Sequence, residues 1–224
     1  MIKMQKTSNE DLKISIEQAN DFDIPAIASI FTESFNESVR HHCGGLLPKP
    51  QAMQDVFTLV YEAEPKAAFV VRTADGQVRG YCFAPTKLPN LWLRALLGGH
   101  LAKWAWRWLT GQYGFGLHPV RVIIMNKLAF VRSAASPAKK ANARILSIAI
   151  DSEVRGRGVG GQLFGAAMNY FHEKKVNRVR LEVRPENGAA IQLYKRWNFV
   201  VDGETVDSQG KWLIMIKEME HSDV

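Results

Sequence analysis

Two cysteines in 224 residues, Cys43 and Cys82, are too few and too far apart for a disulfide framework or a C-x-x-C pair. A reducing cytosol is therefore the expected compartment. No uncharged apolar run approaches the roughly 20 residues that cross a bilayer. The opening MIKMQKTSNEDLK lacks the apolar centre of a signal peptide, so a soluble protein is expected. Acidic residues are missing from one long stretch: Thr86 to Ala143 holds nine Lys or Arg and no Asp or Glu. The rest of the chain, with 20 basic and 22 acidic residues, nets −2, so the formal charge of +7 belongs to that stretch alone. Four of the six tryptophans (Trp92, Trp104, Trp106, Trp108) lie there too. No internal repeat is present.

What remains is ordinary globular composition, 46% hydrophobic and 23% charged. The length suits one ample domain, or a domain carrying a large insertion. LKISIEQA alternates as a half-buried strand does. Asp21 or Asp23 is placed to cap a helix with Ile24, Ile27, Phe31 and Phe35 on one face, and Pro25 suits its first turn. A loop containing HHCGGLLPKP leads to a second helix near 51–62. AAFVVRT and VRGYCFA flank ADGQ, whose Asp-Gly signals a hairpin. Beyond the basic stretch, ARILSIAI reads as a strand and 160–175 as a helix with Leu163, Ala167 and Tyr170 inward. RVRLEV is a strand, GAAIQLYKRW a helix and KWLIMIKEM a last strand. The fold class is α/β, and the hairpins exclude an all-parallel sheet.

SIAIDSEVRGRGVGGQLFGAAMNYF, residues 147–171, joins strand, glycine turn and helix. Glycines let successive N–H groups approach an anion without Cβ interference, and the helix adds the positive end of its dipole. Such a turn also serves merely to change chain direction. Gly156, Gly158 and Gly161 satisfy the G-x-G-x-x-G spelling of a dinucleotide site, with Glu182 as the later acidic residue. A dinucleotide fold needs several further strand–helix units, and only about 60 residues remain here.

A second motif decides between them. RVRLEVRPENGAAIQLYKRWNF, residues 178–199, resembles the signature of the GNAT acyl-CoA N-acyltransferase superfamily, in which V-x-x-x-N leads into A-x-x-L-Y-x-x-x-G-F. The matches are Val183, Asn187, Ala190, Leu193, Tyr194 and Phe199, with Asn198 in place of the usual Gly. Arg155, Gly156, Gly158 and Gly160 resemble the family's pyrophosphate loop. The resemblance covers 144–217 well, 11–84 weakly and the middle not at all. It implies a mixed, mostly antiparallel central sheet flanked by helices: a single GNAT domain over 1–224, with 86–143 a basic, Trp-rich helical insertion.

The resemblance also implies acetyl-CoA, or another acyl-CoA, as co-substrate, with no metal. The pyrophosphate would be held by amides from Arg155 to Gly161, that is Arg155, Gly156, Arg157, Gly158, Val159, Gly160 and Gly161. The pantetheine arm would lie along Ile148, Ala149 and Ile150, with Asn187 near it. Tyr194 occupies the family's general-acid position, or packs on the sheet. LEVRPENGAAIQLY is similar to ribosomal-protein alanine N-acetyltransferases, which makes Glu182 the candidate base; alternatively Glu182 pairs with Arg180 or Arg184. Ser147 is too weak a base to replace it. His41, His42 and Cys43 read as a solvated loop near the acceptor entrance rather than a metal site. The implied activity is N-acetyl transfer to a small-molecule or peptide amine by direct attack in a ternary complex. The alternatives are a non-catalytic acyl-CoA-binding module that recruits a partner or membrane, and an O-acyltransferase acting on a lipid or sugar hydroxyl.

Within LPNLWLRALLGGHLAKWAWRWLTG, Leu93, Leu97, Leu101, Trp104 and Trp108 would form one stripe on a continuous helix. That stripe fits three surroundings: the rest of the fold or a second subunit, an anionic bilayer at the inner face of the membrane, or a large apolar or anionic acceptor. Basic residues scattered among Trp and Leu do not form the phosphate-tracking stripe that nucleic acid requires.

Overall fold

The structure is a computed structural model and describes residues 13–114, 141 and 143–220. Strand β1 (Ile14–Gln18) leads into helices α1 (Ile24–Ser34), α2 (Asn36–His42) and α3 (Pro50–Ala63). The hairpin β2 (Ala68–Thr73) and β3 (Val78–Phe83) follows, then α4 (Pro89–Leu97) and α5 (His100–Leu109). After the basic stretch come β4 (Ala143–Arg144), β5 (Ser147–Ile150), α6 (Val159–Glu173), β6 (Arg178–Val183), α7 (Gly188–Arg196), β7 (Val200–Asp207) and β8 (Gly210–Glu218).

The strands form two four-stranded sheets, ordered β1-β2-β3-β5 and β4-β6-β8-β7. Every pairing is antiparallel except that of β4 with β6. ARILSIAI is thus not one strand. The Ile145 N–H bonds to the carbonyl of Arg180 on β6, and the next, that of Leu146, bonds to Phe83 on β3. Because Ser147 is also in register with Phe83, two residues face one, which is a β-bulge that turns the strand. The chain crosses between sheets there, and beyond it β5 and β6 diverge.

Burial on both faces explains the unbroken apolar run of β2. Ala68 and Val70 join Ile24, Ile27, Ile30, Phe57, Tyr81 and Phe83 beneath α1 and α3. Phe69 and Val71 join Leu163, Phe164, Ala167, Phe171, Leu181 and Met215 beneath α6. Leu163, Ala167 and Tyr170 are buried as their spacing predicts. Asp23 stands at the N-cap position of α1, one of the two expected, but makes no side-chain cap bond to it. Its buried carboxylate accepts from the Asn20 N–H and pairs with Arg72 at 2.9 Å. Asn20 in turn caps the short 3-10 turn Asp21–Asp23, accepting from the Phe22 N–H at 2.9 Å. His41 and His42 end α2 rather than lying in a loop.

The largest departure lies after β3. Gly98 donates to the Arg94 carbonyl and Gly99 turns left-handed (φ 72°), so the expected continuous helix breaks into α4 and α5. Together they run antiparallel along the outer side of α3. Thr86 is held by Glu64 (2.8 and 2.9 Å), Arg94 and His100 meet Glu62 (2.6 and 3.2 Å), and Lys103 and Arg107 meet Asp55 (3.3 and 2.5 Å). Tyr113 donates to Asp55 (2.7 Å), and Lys49 bonds to the carbonyls of Tyr113 and Gly111. The break divides the predicted stripe: Leu93, Leu97 and Leu101 are exposed, while Trp104 and Trp108 are partly buried.

Candidate active site

The divergence of β5 from β6 leaves one edge of β5 without a strand. Asp151 donates to Arg79, and the antiparallel alternation then directs the backbone of Ser147 and Ala149 at β3. The backbone groups of Ile148 and Ile150 are left on the open edge. The Ile150 carbonyl already accepts from Arg155 Nε at 2.8 Å. The one donor and one acceptor of Ile148, and the donor of Ile150, remain for an extended ligand laid alongside, as a peptide lies along a sheet edge.

This edge runs directly into the glycine turn. Gly156 and Gly158 have φ of 78° and 75°, which side chains with a Cβ rarely adopt, and a Cβ at either would meet no atom within 4 Å. They are glycines for backbone shape, with open space outside. The Arg155 N–H is spent on the Ser152 carbonyl, and that of Gly161 on Gly158. Between them the N–H groups of Gly156, Arg157, Gly158, Val159 and Gly160 donate to nothing among the described residues. Five consecutive free donors at the start of a fifteen-residue helix make an anion cradle. The Arg155 guanidinium turns back onto the protein, donating to the Ile150 carbonyl and to the Ser34 hydroxyl.

Tyr194 is buried, its ring against Phe164 and Phe199 at 5.2 and 6.2 Å. The end of α7 holds it there: Asn198 is left-handed (φ 61°), and the Phe199 N–H bonds back to the Tyr194 carbonyl at 3.0 Å. Asn thus supplies the conformation for which Gly is usual. The Tyr194 hydroxyl has no hydrogen-bond partner among the described residues. Burial, with a smaller contribution from neighbouring Cys82, pushes its phenol well above the usual range, so it stays protonated at neutral pH.

Glu182 sits on the other face of β6. Val179, Leu181 and Val183 point to α6 and join the Tyr194 cluster, whereas Arg180 and Glu182 alternate away from it. Glu182 Oε1 takes both Arg144 (3.0 Å) and Arg180 (2.7 Å), leaving Oε2 unengaged among the described residues. No hydrogen bond joins Glu182 to Tyr194. Arg184, the other expected partner, turns instead to Asp207 and Gln209 and stacks on Trp212 at 4.0 Å. Asn187 caps α7, its side-chain oxygen accepting from the Ala190 N–H at 3.1 Å, which leaves its side-chain NH2 for a ligand.

On the same side as Glu182, Ser147 Oγ pairs with the buried Tyr81 hydroxyl at 2.8 Å. One wall is formed by α2, since Ser38 bonds Gln209 (2.6 Å) and His41 bonds Ser208 (3.1 Å) on the turn that Arg184 also grips. His42 bonds the Ser38 carbonyl, and Cys43 is buried. Among the described residues no group of three or more His, Cys, Asp or Glu is placed to hold a metal. Sequence reasoning overlooked Tyr81, Ser38 and the α3 carboxylates Asp55 and Glu62. A signal for the last pair was present: two acids seven residues apart lie two turns apart on a helix, facing a stretch with cations only.

Comparison with known proteins agrees with this geometry. Residues 25–199 match the model of the Acetyltransferase (GNAT) family. An uncharacterised N-acetyltransferase of Methanocaldococcus jannaschii is 30% identical over 122 residues, 53% of this chain and 52% of that protein. A Bacillus subtilis protein named "putative ribosomal protein bS18-alanine N-acetyltransferase" is 40% identical over 62 residues, 28% of this chain and 41% of that one. The chain thus spans about half the length of the first of these relatives and less of the second. Among solved structures, SsHAT superposes with a TM-score of 0.64 at 20% identity, covering 93% of this chain and 99% of that one. An Acinetobacter baylyi acetyltransferase structure gives 0.61 at 12% identity, covering 95% and 96%. These last two likenesses concern the fold. Over most of its length, then, the chain belongs to the acetyltransferase (GNAT) family.

Proposed function

We propose that this protein is an acyl-CoA-dependent N-acetyltransferase that acts on a primary amine. The observation that carries the reading is the run of five free N–H groups from Gly156 to Gly160, placed where the unpaired edge of β5 ends. Those donors match a diphosphate, and the free groups of Ile148 and Ile150 match the amides of a pantetheine arm; the Asn187 side-chain NH2, left open by its cap bond, is a further donor for that arm. The acyl thioester is then drawn into the gap between β5 and β6. Coenzyme A chemistry, a diphosphate joined to an amide-bearing arm, fits this order of groups better than a nicotinamide or flavin dinucleotide.

The amine nitrogen attacks the thioester carbonyl carbon, the C–N bond forms and the C–S bond breaks. The departing thiolate takes the Tyr194 phenolic proton, and the amine's proton passes to a base. Glu182 has only Oε2 for that task, since two guanidinium groups occupy Oε1; the proton reaches it through water. The acceptor approaches on the Glu182 side of the sheet, alongside the wall that α2 makes with the β7–β8 turn. Similarity to a protein named for alanine N-acetylation makes a peptide N-terminal amine the first acceptor to try.

Thiol release from acetyl-CoA, followed across a panel of amines and hydroxyl acceptors with an N-terminal alanine peptide included, separates N-transfer from O-transfer and from a module that only binds acyl-CoA. Tyr194→Phe is expected to lose about 10²-fold or more in turnover with acetyl-CoA affinity by calorimetry unchanged. Unaltered turnover removes Tyr194 from the reaction. Absence of calorimetric heat with coenzyme A, acetyl-CoA and longer acyl-CoA alike overturns the reading.

A further inference from the structure

The helices α4 and α5 are amphipathic in the reverse sense. Their polar side chains face the protein: Arg94 and His100 on Glu62, Lys103 and Arg107 on Asp55. Most of their large apolar side chains face outward, Trp104 and Trp108 being partly buried. Leu93 is 58% exposed, Leu96 64%, Leu97 79%, Trp106 66% and Leu109 74%, with Leu101 beside them. Placed at 100° per residue, Leu93, Leu96 and Leu97 fill one arc of α4, and Leu101, Ala102, Ala105, Trp106 and Leu109 fill one arc of α5. Neither arc contains a charged residue. A lone exposed leucine needs no explanation; a continuous apolar face on two successive helices marks a surface that is covered in use.

We propose that this face docks on an anionic lipid bilayer. Charge decides between a bilayer and a second copy of the chain. Between Thr86 and Gly114 there are four Lys or Arg and no acid. Glu62 offsets Arg94, and Asp55, shared by Lys103 and Arg107, cancels only one of those two, so a net positive charge remains. A groove of about 900 Å³ adjoins the start of α4, lined by Lys66, Lys87, Lys174 and Lys175, with Glu64 the single acid among its described lining residues. Glu64 is itself occupied by Thr86 and Tyr170. In a symmetric dimer the same patch meets itself, which sets cation against cation. A negatively charged leaflet meets the same cations with opposite sign and takes up the Leu and Trp side chains. Among the described residues no helix is long and apolar enough to cross a membrane, so contact is at the surface.

The test is flotation of the full chain with phosphatidylcholine vesicles, with and without phosphatidylglycerol. Wild type is expected to float with the anionic vesicles and not with the neutral ones. Leu97→Asp combined with Leu101→Asp should lower the bound fraction at least tenfold, with an unchanged circular dichroism spectrum and melting temperature. Lys66→Glu with Lys87→Glu, which leaves the apolar face intact, should weaken binding about fivefold per lysine, so the proposal stays testable even if the first variant misfolds. Blue-shifted tryptophan emission on adding anionic vesicles, reduced in Trp106→Phe, supports the same contact. Three results overturn it: no flotation of wild type with anionic vesicles at low salt, equal flotation of wild type and both double variants, or a soluble dimer that Leu97→Asp abolishes while no lipid is bound.

Discussion

Helices α6 and α5 are both amphipathic, yet they lie on the protein in opposite senses. In α6 the apolar side, Leu163, Phe164, Ala167 and Phe171, is buried against both sheets. In α5 the apolar side faces outward and the side with His100 and Arg107 is turned in. The difference comes from the surface each meets. Apolar strand faces await α6, whereas α5 meets α3, whose outer side presents Asp55 and Glu62. A helix with a cationic and an apolar face turns toward whichever neighbour matches one of them. Here a buried carboxylate, 2% exposed, outweighs the leucines.

Paired truncations break this comparison most sharply. Phe164→Ala, deep under α6, should destabilise the protein by about 3–5 kcal/mol, whereas Leu97→Ala on the outward face should stay within about 0.5 kcal/mol. Denaturant unfolding of both variants measures the contrast, and equal losses would show that α4 and α5 have an ordinary buried face.

Asp55→Ala comes next. It strands Arg107, Lys103 and the Tyr113 hydroxyl together, and about 2 kcal/mol is expected, less than for a fully buried pair because the two cations are partly solvated. Burial alone would raise the Asp55 carboxyl, but hydrogen bonds from Tyr113, Arg107 and Lys103 outweigh it and hold the group below its ordinary value. A carboxylate depressed in the folded state stabilises fully above its unfolded value near 4 and loses that contribution as pH falls through the folded one. The stability gap between wild type and Asp55→Ala should therefore narrow below about pH 4. A gap that persists into strong acid would mean that packing, not charge, holds the two helices on α3.

Glu62→Gln is the mildest change. Burial also works against this carboxylate, and Arg94 and His100 bring it below its usual value. It is more exposed than Asp55, so thermal melting should register less than about 1 kcal/mol. A larger loss would move the anchor of the pair from the Asp55 end to the Glu62 end.

Features that depend on one residue's own backbone were legible in advance. Gly156 and Gly158 are left-handed because little else tolerates that shape, and Asn198 takes over a glycine's role for the same reason. The hairpin, the inward face of α6 and the Tyr194 motif are local patterns, and they were read from spacing or resemblance. Glu182 was legible only as two alternatives, since a strand carboxylate's partners are set by its neighbours. The structure supplies Arg144, thirty-eight residues earlier in sequence, as well as Arg180. Gly98 and Gly99 were misweighed. One continuous helix was drawn through them, whereas an added Cβ at Gly98 would lie 2.6 Å from the Arg94 carbonyl, and the helix ends there.

The order of apolar, glycine and charged residues was enough by itself to determine the alternation of strands and helices, the hairpin that excludes an all-parallel sheet, the glycine turn and the concentration of charge between Thr86 and Ala143. Those properties follow from dihedral preferences, periodicity and summed charge, all local or additive along the chain. Tertiary structure alone decided where β5 leaves β6, which carboxylate oxygen of Glu182 stays open, and which side of α4 and α5 meets the protein. Each of those depends on residues distant in sequence competing for the same partner, and such a competition is settled only when the chain has folded.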